Sequence, residues 1–181
     1  MTENDRILVR RLGAGDGDAG LAGAITDLVN EVYAVAESGL WRDEARRTTV
    51  GEVTGFIDRG EMVVATKDGD LAGSVRVHDV ADDVSEFGLL VSAPAHRGSG
   101  VGRALLDHIE RDRREGGMRV MRLEVLVPRT WTHPSKEFLK AWYGRRGYRL
   151  VRTGTLDDAY PHLAPLLATA CDLEIREKPL A

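Results

Sequence analysis

The chain has 181 residues, 43% of them hydrophobic and 30% charged, which is the balance of one water-soluble globular domain spanning 1–181. Its 25 lysines and arginines against 29 aspartates and glutamates leave a net charge of −4, which argues against nucleic acid as the main partner and suits a cationic substrate better. The single cysteine, Cys171, excludes an internal disulfide and points to a reducing cytoplasm, the polar opening Met1–Arg6 lacks the apolar core of a signal peptide, and no apolar run reaches the roughly 20 residues of a membrane span.

In chain order, Ile7–Leu12 is a short strand and Gly13–Gly20 a flexible turn. Leu21, Ala24, Ile25, Leu28, Val29, Val32 and Tyr33 then follow helical spacing. Glu37–Arg47 is a polar loop carrying Trp41, and Thr49 is the N-cap expected for a helix that runs through Ile57 and stops at Gly60. Met62–Thr66 and Leu71–His78 are strands joined at Asp68-Gly69, a strong hairpin signal. An acidic turn at Ala81–Val84 leads to a strand, Phe87–Val91, that Pro94 stops. The next helix runs from about Gly100 to Glu115 with Val101, Leu105, Leu106 and Ile109 as its buried stripe, and Gly116-Gly117 ends it. Met118–Val127 alternates as a strand, and Ser135–Arg145 is a helix with Phe138, Leu139, Trp142 and Tyr143 turned inward. Tyr148–Thr153 and Leu173–Glu177 are the last strands, with a helix expected between them over Tyr160–Ala168. The order β-α-α-β-β-β-α-β-α-β-β describes an α/β domain with a mixed, mostly antiparallel sheet and helices on both faces.

Residues 85–106 carry most of the functional information. A strand feeds a turn containing Arg97, Gly98, Ser99, Gly100, Val101, Gly102 and Arg103, and the turn opens directly into an apolar helical pattern. Glycines let backbone N–H groups converge on one point, the helix start adds the positive end of its dipole, and the two arginines add full charges. This is a receptor for phosphate or pyrophosphate. It is not a P-loop, since no Lys-Ser/Thr stands at that spacing.

The spacing Arg97-x-x-Gly100-x-Gly102 after a strand resembles the acyl-CoA pyrophosphate loop of the GNAT superfamily of N-acyltransferases. A second, separate run, Phe138-Leu139-Lys140-Ala141-Trp142-Tyr143-Gly144-Arg145-Arg146-Gly147-Tyr148, is similar to the family's helix-to-strand signature. The order of elements matches the GNAT fold over nearly the whole chain. The resemblance implies acetyl-CoA as co-substrate, no metal, and a small-molecule amine or peptide amine as acceptor; a homodimer is left open. Where many members place an asparagine for the pantetheine arm, this chain has Ser135-Lys136, so Ser135 is the residue expected there.

Acetyl transfer from a thioester to an amine needs a neutral amine, donors for the carbonyl oxygen and a proton for the leaving thiolate. An alkylamine with a pKa near ~10.4 is mostly protonated at neutral pH, so a base is required. Glu86, eleven residues before Arg97 on the strand that carries the loop, is the candidate base; its competing assignment is an ion-pair or edge carboxylate. Tyr143 is the candidate acid implied by the resemblance, against a core tyrosine that uses its ring for packing. Backbone N–H groups around Leu90 and Val91 are the expected oxyanion donors, provided the strand bulges or splays there. By the same resemblance, Tyr33, Glu37 and Trp41 on one side and Trp131 and His133 on the other line the acceptor site; the alternative is that these aromatics cover the core. An acyl-CoA-binding module without turnover, a longer acyl chain and transfer to oxygen remain open.

Other features carry less. Gly15-x-Gly17-x-x-Gly20 formally matches a dinucleotide turn, but Asp16 and Asp18 would repel a pyrophosphate. His133 and Glu137 stand one helical turn apart without a third ligand nearby. Cys171 lies far in sequence from both signatures, which points to direct transfer.

Overall fold

The structure, a computed structural model, describes residues 6–42 and 46–181. The first five residues of the polar opening and positions 43–45 of the loop after the first helix lie outside the described residues. Seven strands and five α-helices follow in the order β1 (Leu8–Arg11), α1 (Ala19–Ala36), α2 (Val50–Asp58), β2 (Met62–Lys67), β3 (Asp70–Ala81), β4 (Val84–Ser92), α3 (Val101–Glu115), β5 (Val120–Pro128), α4 (Pro134–Arg145), β6 (Arg149–Thr155), α5 (Leu156–Ala159) and β7 (Cys171–Pro179). The strands form one sheet in the order β1-β2-β3-β4-β5-β7-β6, antiparallel everywhere except between β4 and β5.

Local chemistry accounts for most boundaries. Asp18 caps α1 by accepting from the Leu21 N–H, and Thr49 and Glu52 form a reciprocal capping box at α2. Asp68 and Gly69 both take positive φ, 55° and 88°, as a two-residue hairpin turn requires. Two layers of side chains then sandwich the sheet. Val63, Val75, Val77, Phe87 and Met121 pack with Leu105, Leu106 and Ile109 of α3 and Tyr143 of α4. On the opposite face Met62, Val64, Leu89 and Val91 meet Ile25 and Val29 of α1 and Val53 and Ile57 of α2. β2 is therefore apolar on both faces, while β4 and β5 are apolar on the α3/α4 face and bear charges on the other.

Two sequence expectations are corrected. Tyr160–Ala168 is not a helix: a single helical turn precedes it at Leu156–Ala159, and only a 3-10 turn forms at Ala164–Leu166. Thr155 caps that early turn through the Asp158 N–H, and Pro165 cannot donate within a continuous helix. Phe138 is not inward but 63% exposed, because the buried stripe of α4 runs through Lys136, Leu139 and Tyr143, one residue out of phase with it.

The contact that fixes the start of α3 is at Gly73. A Cβ there would lie 2.5 Å from the Val91 carbonyl oxygen, 2.6 Å from Val101 and 3.2 Å from Leu105. Gly73→Ala should therefore cost about 1–3 kcal/mol by overpacking. Urea unfolding of the variant against the unsubstituted chain measures it, and an unchanged midpoint would contradict this packing.

Candidate functional site

The site is created by a break in β4. Ser74 pairs with Val91 and Arg76 with Gly88, so the single residue Val75 faces two, Leu89 and Leu90. Leu89 absorbs the extra residue with φ 51°, left-handed for a non-glycine residue. The side chains change phase as a result: Phe87 packs on the α3/α4 side, Leu89 on the α1/α2 side, and Leu90 back on the first. The parallel pairing with β5 also ends early, covering only Val84–Val120, Ser85–Met121 and Glu86–Arg122. Beyond Glu86 the two strands separate, and the backbone of Leu89, Leu90 and Val91 borders the gap.

At the C-terminal end of β4, the loop adopts the geometry of an anion cradle. Gly98 and Gly100 take φ 77° and 92°, and a Cβ at either would meet nothing within 4 Å. Gly100 is the N-cap of α3 and provides no side-chain cap, so the first N–H groups of that helix are left for a ligand. The Ser99 hydroxyl donates to the His96 carbonyl, which folds the loop on itself. Gly102 keeps room beside Trp142, whose ring atoms would stand 3.6 Å from an added Cβ. Among the described residues, Arg97 and Arg103 form no ion pair, whereas nine other arginines do.

Glu86 is half-buried and faces away from Phe87. Its cross-strand neighbours are His78 on β3 and Arg122 on β5. The nearby cations are committed elsewhere: Arg122 to Glu177 at 2.8 Å and Arg76 to Glu61 at 2.8 Å. Glu86 itself makes no hydrogen bond or ion pair among the described residues. Burial, and then the Glu124 carboxylate, push its pKa up to about 7 against the pull of Arg122 and Arg76.

Tyr143 lies on the other face, 6% exposed, with ring centroids 5.8 Å from Phe87, 5.1 Å from Trp142 and 5.8 Å from Tyr148. Burial, with a smaller push from Tyr33, raises its pKa above the ordinary phenol value, so the hydroxyl stays protonated. Ser135 is the second residue of α4, after Pro134 at the first position, and its hydroxyl has no partner among the described residues.

The two sides expected to line the acceptor site do meet, but largely through one another. Glu37 is buried, receives Lys136 Nζ at 2.8 Å on Oε1 and the Trp41 indole N–H at 2.6 Å on Oε2. Burial raises its pKa, yet Lys136 and Arg47 outweigh that and hold it below the usual carboxylate range. His133 Nε2 sits 3.0 Å from the Ser38 carbonyl oxygen, and Trp131 lies over Gly39 and donates to Thr169 at 3.3 Å. Glu37, Trp41, Trp131 and His133 thus staple the end of α1 to the loop before α4. Tyr33 differs from them: Arg47 lies 5.1 Å from its ring centroid, and burial, opposed by Arg47 and by the Leu89 N–H at the bulge, raises its pKa.

Sequence reasoning missed four contributors. Leu89 supplies the distorted backbone, Arg47 covers Tyr33, and Glu124 adds a second carboxylate beside Glu86. The fourth, Tyr160, donates to Glu124 Oε2 at 2.7 Å. The available signal was the polar phase of Met118–Val127, where Arg122 and Glu124 alternate with apolar residues; the strand pairing that sets them beside Glu86 is not written in that alternation.

Among the described residues, no group of three or more His, Cys, Asp or Glu side chains is placed to hold a metal, and no helix is long and apolar enough to cross a membrane. Cys171 is buried, which raises its thiol pKa.

Comparison with known proteins agrees with this architecture. No curated protein matches the sequence. The yncA protein of Salmonella typhimurium, solved with its cofactor acetyl-CoA, superposes with a TM-score of 0.69 at 16% identity, over 97% of this chain and 95% of that one. An aminoglycoside 6'-N-acetyltransferase solved with coenzyme A gives 0.72 at 13% identity, over 96% and 97%. Ribosomal-protein-alanine N-acetyltransferase from Brucella melitensis gives 0.68 at 16%, over 95% and 99%. At these identities the likeness is one of fold. The acetyltransferase (GNAT) domain family, however, matches residues 58–150, just over half of the chain and including β4, the glycine loop and Tyr143. The chain is a member of the GNAT acetyltransferase family.

Proposed function

We propose that this enzyme transfers an acetyl group from acetyl-CoA to a primary amine by direct attack, with Glu86 as base and Tyr143 as acid. The observation that carries the reading is the opening of β4 from β5, which places an uncommitted carboxylate and the distorted backbone of Leu89–Val91 on the same short segment that leads into the anion cradle. The cradle fits a pyrophosphate by its own chemistry: two positive-φ glycines with open space above them, an uncapped helix start and two unpaired arginines. Gly98, Ser99, Gly100, Val101 and Gly102 would offer backbone donors, Arg97 and Arg103 charge, and Ser135 a hydroxyl to the pantetheine arm. When bound, acetyl-CoA supplies the thioester.

Each residue then has a defined task. Glu86 takes a proton from the incoming ammonium, directly or through water, and exposes the nitrogen lone pair. The nitrogen bonds to the thioester carbonyl carbon while N–H groups around Leu90 and Val91 receive the oxygen's growing charge. As the C–S bond breaks, Tyr143 passes its proton to the sulfur; the nitrogen's second proton returns through solvent to the Tyr143 oxygen, and Glu86 releases its own to bulk water. Burial makes Tyr143 a weak acid in the free protein, but the same surroundings penalise the thiolate, so the donor is held protonated where the proton is needed. The raised thiol pKa of buried Cys171 speaks against a covalent acyl-enzyme step. A small-molecule or peptide amine, a single domain over 1–181 and a cytoplasmic setting complete the proposal.

Acetyl-CoA should raise the melting temperature of the protein, and an amine should release free CoA thiol; a protein indifferent to every acyl-CoA overturns the reading, whereas binding without turnover favours a sensor module. Arg97→Ala should raise the KM for acetyl-CoA by about tenfold with little change in kcat, as expected for contacts made equally in ground and transition states.

Glu86→Gln should lower kcat/KM by about 10²–10³ at pH 8 while leaving acetyl-CoA binding intact. In the unsubstituted enzyme, kcat/KM should climb through about pH 7, where Glu86 loses its proton, and a profile flat from pH 5 to 8 would remove Glu86 from the base role.

The same shift has a stability consequence. A carboxyl whose folded pKa exceeds its unfolded one favours folding only while protonated, so its contribution falls as pH rises from about 4.5 to about 7. Glu86→Gln should therefore raise Tm at pH 8 and leave it nearly unchanged at pH 4, as read by thermal melts at the two pH values.

A further inference from the structure

The sheet face that carries Glu86 continues across β5, β7 and β6 into a cavity of about 250 Å3. Two rungs of the sheet form its floor. Glu124 stands beside Ile175, which stands beside Arg152; one rung on, Leu126, Leu173 and Gly154 are in register. Asp158 on α5 closes one side. Glu124 lies two residues beyond Arg122, the register partner of Glu86, and so at the point where β5 parts from β4.

We propose that this cavity is the acceptor subsite and that it takes a compact primary monoamine, its ammonium drawn between Glu124 and Glu86 and its aliphatic body lying on Leu173 and Ile175. The inference rests on the acetyltransferase reading and names the substrate class for it. Four observations carry it. Glu124 spends Oε2 on the Tyr160 hydroxyl and, among the described residues, keeps Oε1 without a partner, so one carboxylate oxygen is available to a cation. Leu173 and Ile175 give an alkyl body an apolar floor, and on the α5 side the Thr155 hydroxyl is spent on Asp158 Oδ2 at 2.7 Å. The volume is below the ~300–1,000 Å3 of sites for drug-sized ligands, so an aminosugar oligomer or a folded protein chain does not enter it. Arg152, which forms no ion pair among the described residues, and Asp158 put opposite charges on the β6–α5 side, so only the Glu124 end offers an unbalanced negative charge to a cation.

Gly154 gives the cavity its depth, and a Cβ at that position would meet nothing within 4 Å, so a side chain can be added without disturbing the fold. The test measures CoA release by the full chain with ethylamine, n-butylamine, n-hexylamine and 1,6-diaminohexane. The ratio of kcat/KM for n-hexylamine over ethylamine should exceed one, and Gly154→Val should lower that ratio by at least about tenfold while the acetyl-CoA thermal shift is retained. n-Hexylamine should be preferred to 1,6-diaminohexane. Glu124→Gln should raise the KM for amine, the readout of its binding role, and move the acid limb of the pH profile to lower pH, because the charge that raises Glu86's pKa is gone; an unchanged KM would remove Glu124 from the subsite. A ratio indifferent to Gly154→Val, a preference for the diamine, or acetyl-CoA binding with none of these amines consumed overturns the subsite. Failure of the unsubstituted protein to bind acetyl-CoA would instead overturn the acetyltransferase reading on which it rests.

Discussion

The mismatch of two β4 residues against one on β3 is the constraint on which the site depends. A regular antiparallel pair would keep Phe87, Leu89 and Val91 on one face, and the strand would continue alongside β5. With Leu89 and Leu90 both facing Val75, the chain twists, changes the phase of its side chains and leaves β5 after Glu86. The positive φ of Leu89 is the local cost, and burial of its side chain among α1 and α2 residues compensates it. One irregularity thus bends the β4 backbone, ends its pairing with β5 after Glu86 and directs the chain into the glycine loop.

Charge pairing across the α1/α2 face decides which group is left reactive. Arg76 is held by Glu61 and Arg122 by Glu177, Glu37 is matched by Lys136, and Glu124 is tied to Tyr160. Each pairing lowers the cost of placing a charge on a half-covered sheet. Among the described residues, Glu86 is left without such a partner, and the two nearest guanidiniums are too engaged to hold it ionised. A carboxylate with a proton affinity near neutrality follows from the arrangement of its neighbours, with no special feature of Glu86 itself.

Elements governed by near neighbours were legible in the sequence. The Thr49–Glu52 box, the Asp68-Gly69 turn and the glycine-opened helix at Val101 each depend on residues within a few positions of one another. What was not legible depends on partners far along the chain. Lys136 is buried because Glu37, 99 residues away, neutralises it, and Glu124 reaches the site because a parallel crossover sets β5 beside β4. The aromatic residues Trp41, Trp131 and His133 were readable as one cluster, but their hydrogen bonds are spent on joining two loops. The Tyr160–Ala168 segment misled because its apolar spacing is helical while Pro165 denies it the backbone bond.

The two halves of the site differ in how firmly they are built, and that difference bears on specificity. The cradle stands on α3, whose first turn is wedged against Gly73 and whose stripe is fully buried, so the anion site is positioned by the core. The acceptor side rests on α5, a single helical turn, on a 3-10 turn and on loops joined by the Glu37–Lys136 pair and the Trp41–Leu167 bridge. A rigid co-substrate site beside a loop-built acceptor wall allows the wall to change without disturbing the chemistry. On the proposed reading, the reaction is fixed by β4 and α3, while acceptor choice resides in residues such as Glu124 and Arg152, whose neighbours belong to the loop-built half of the fold.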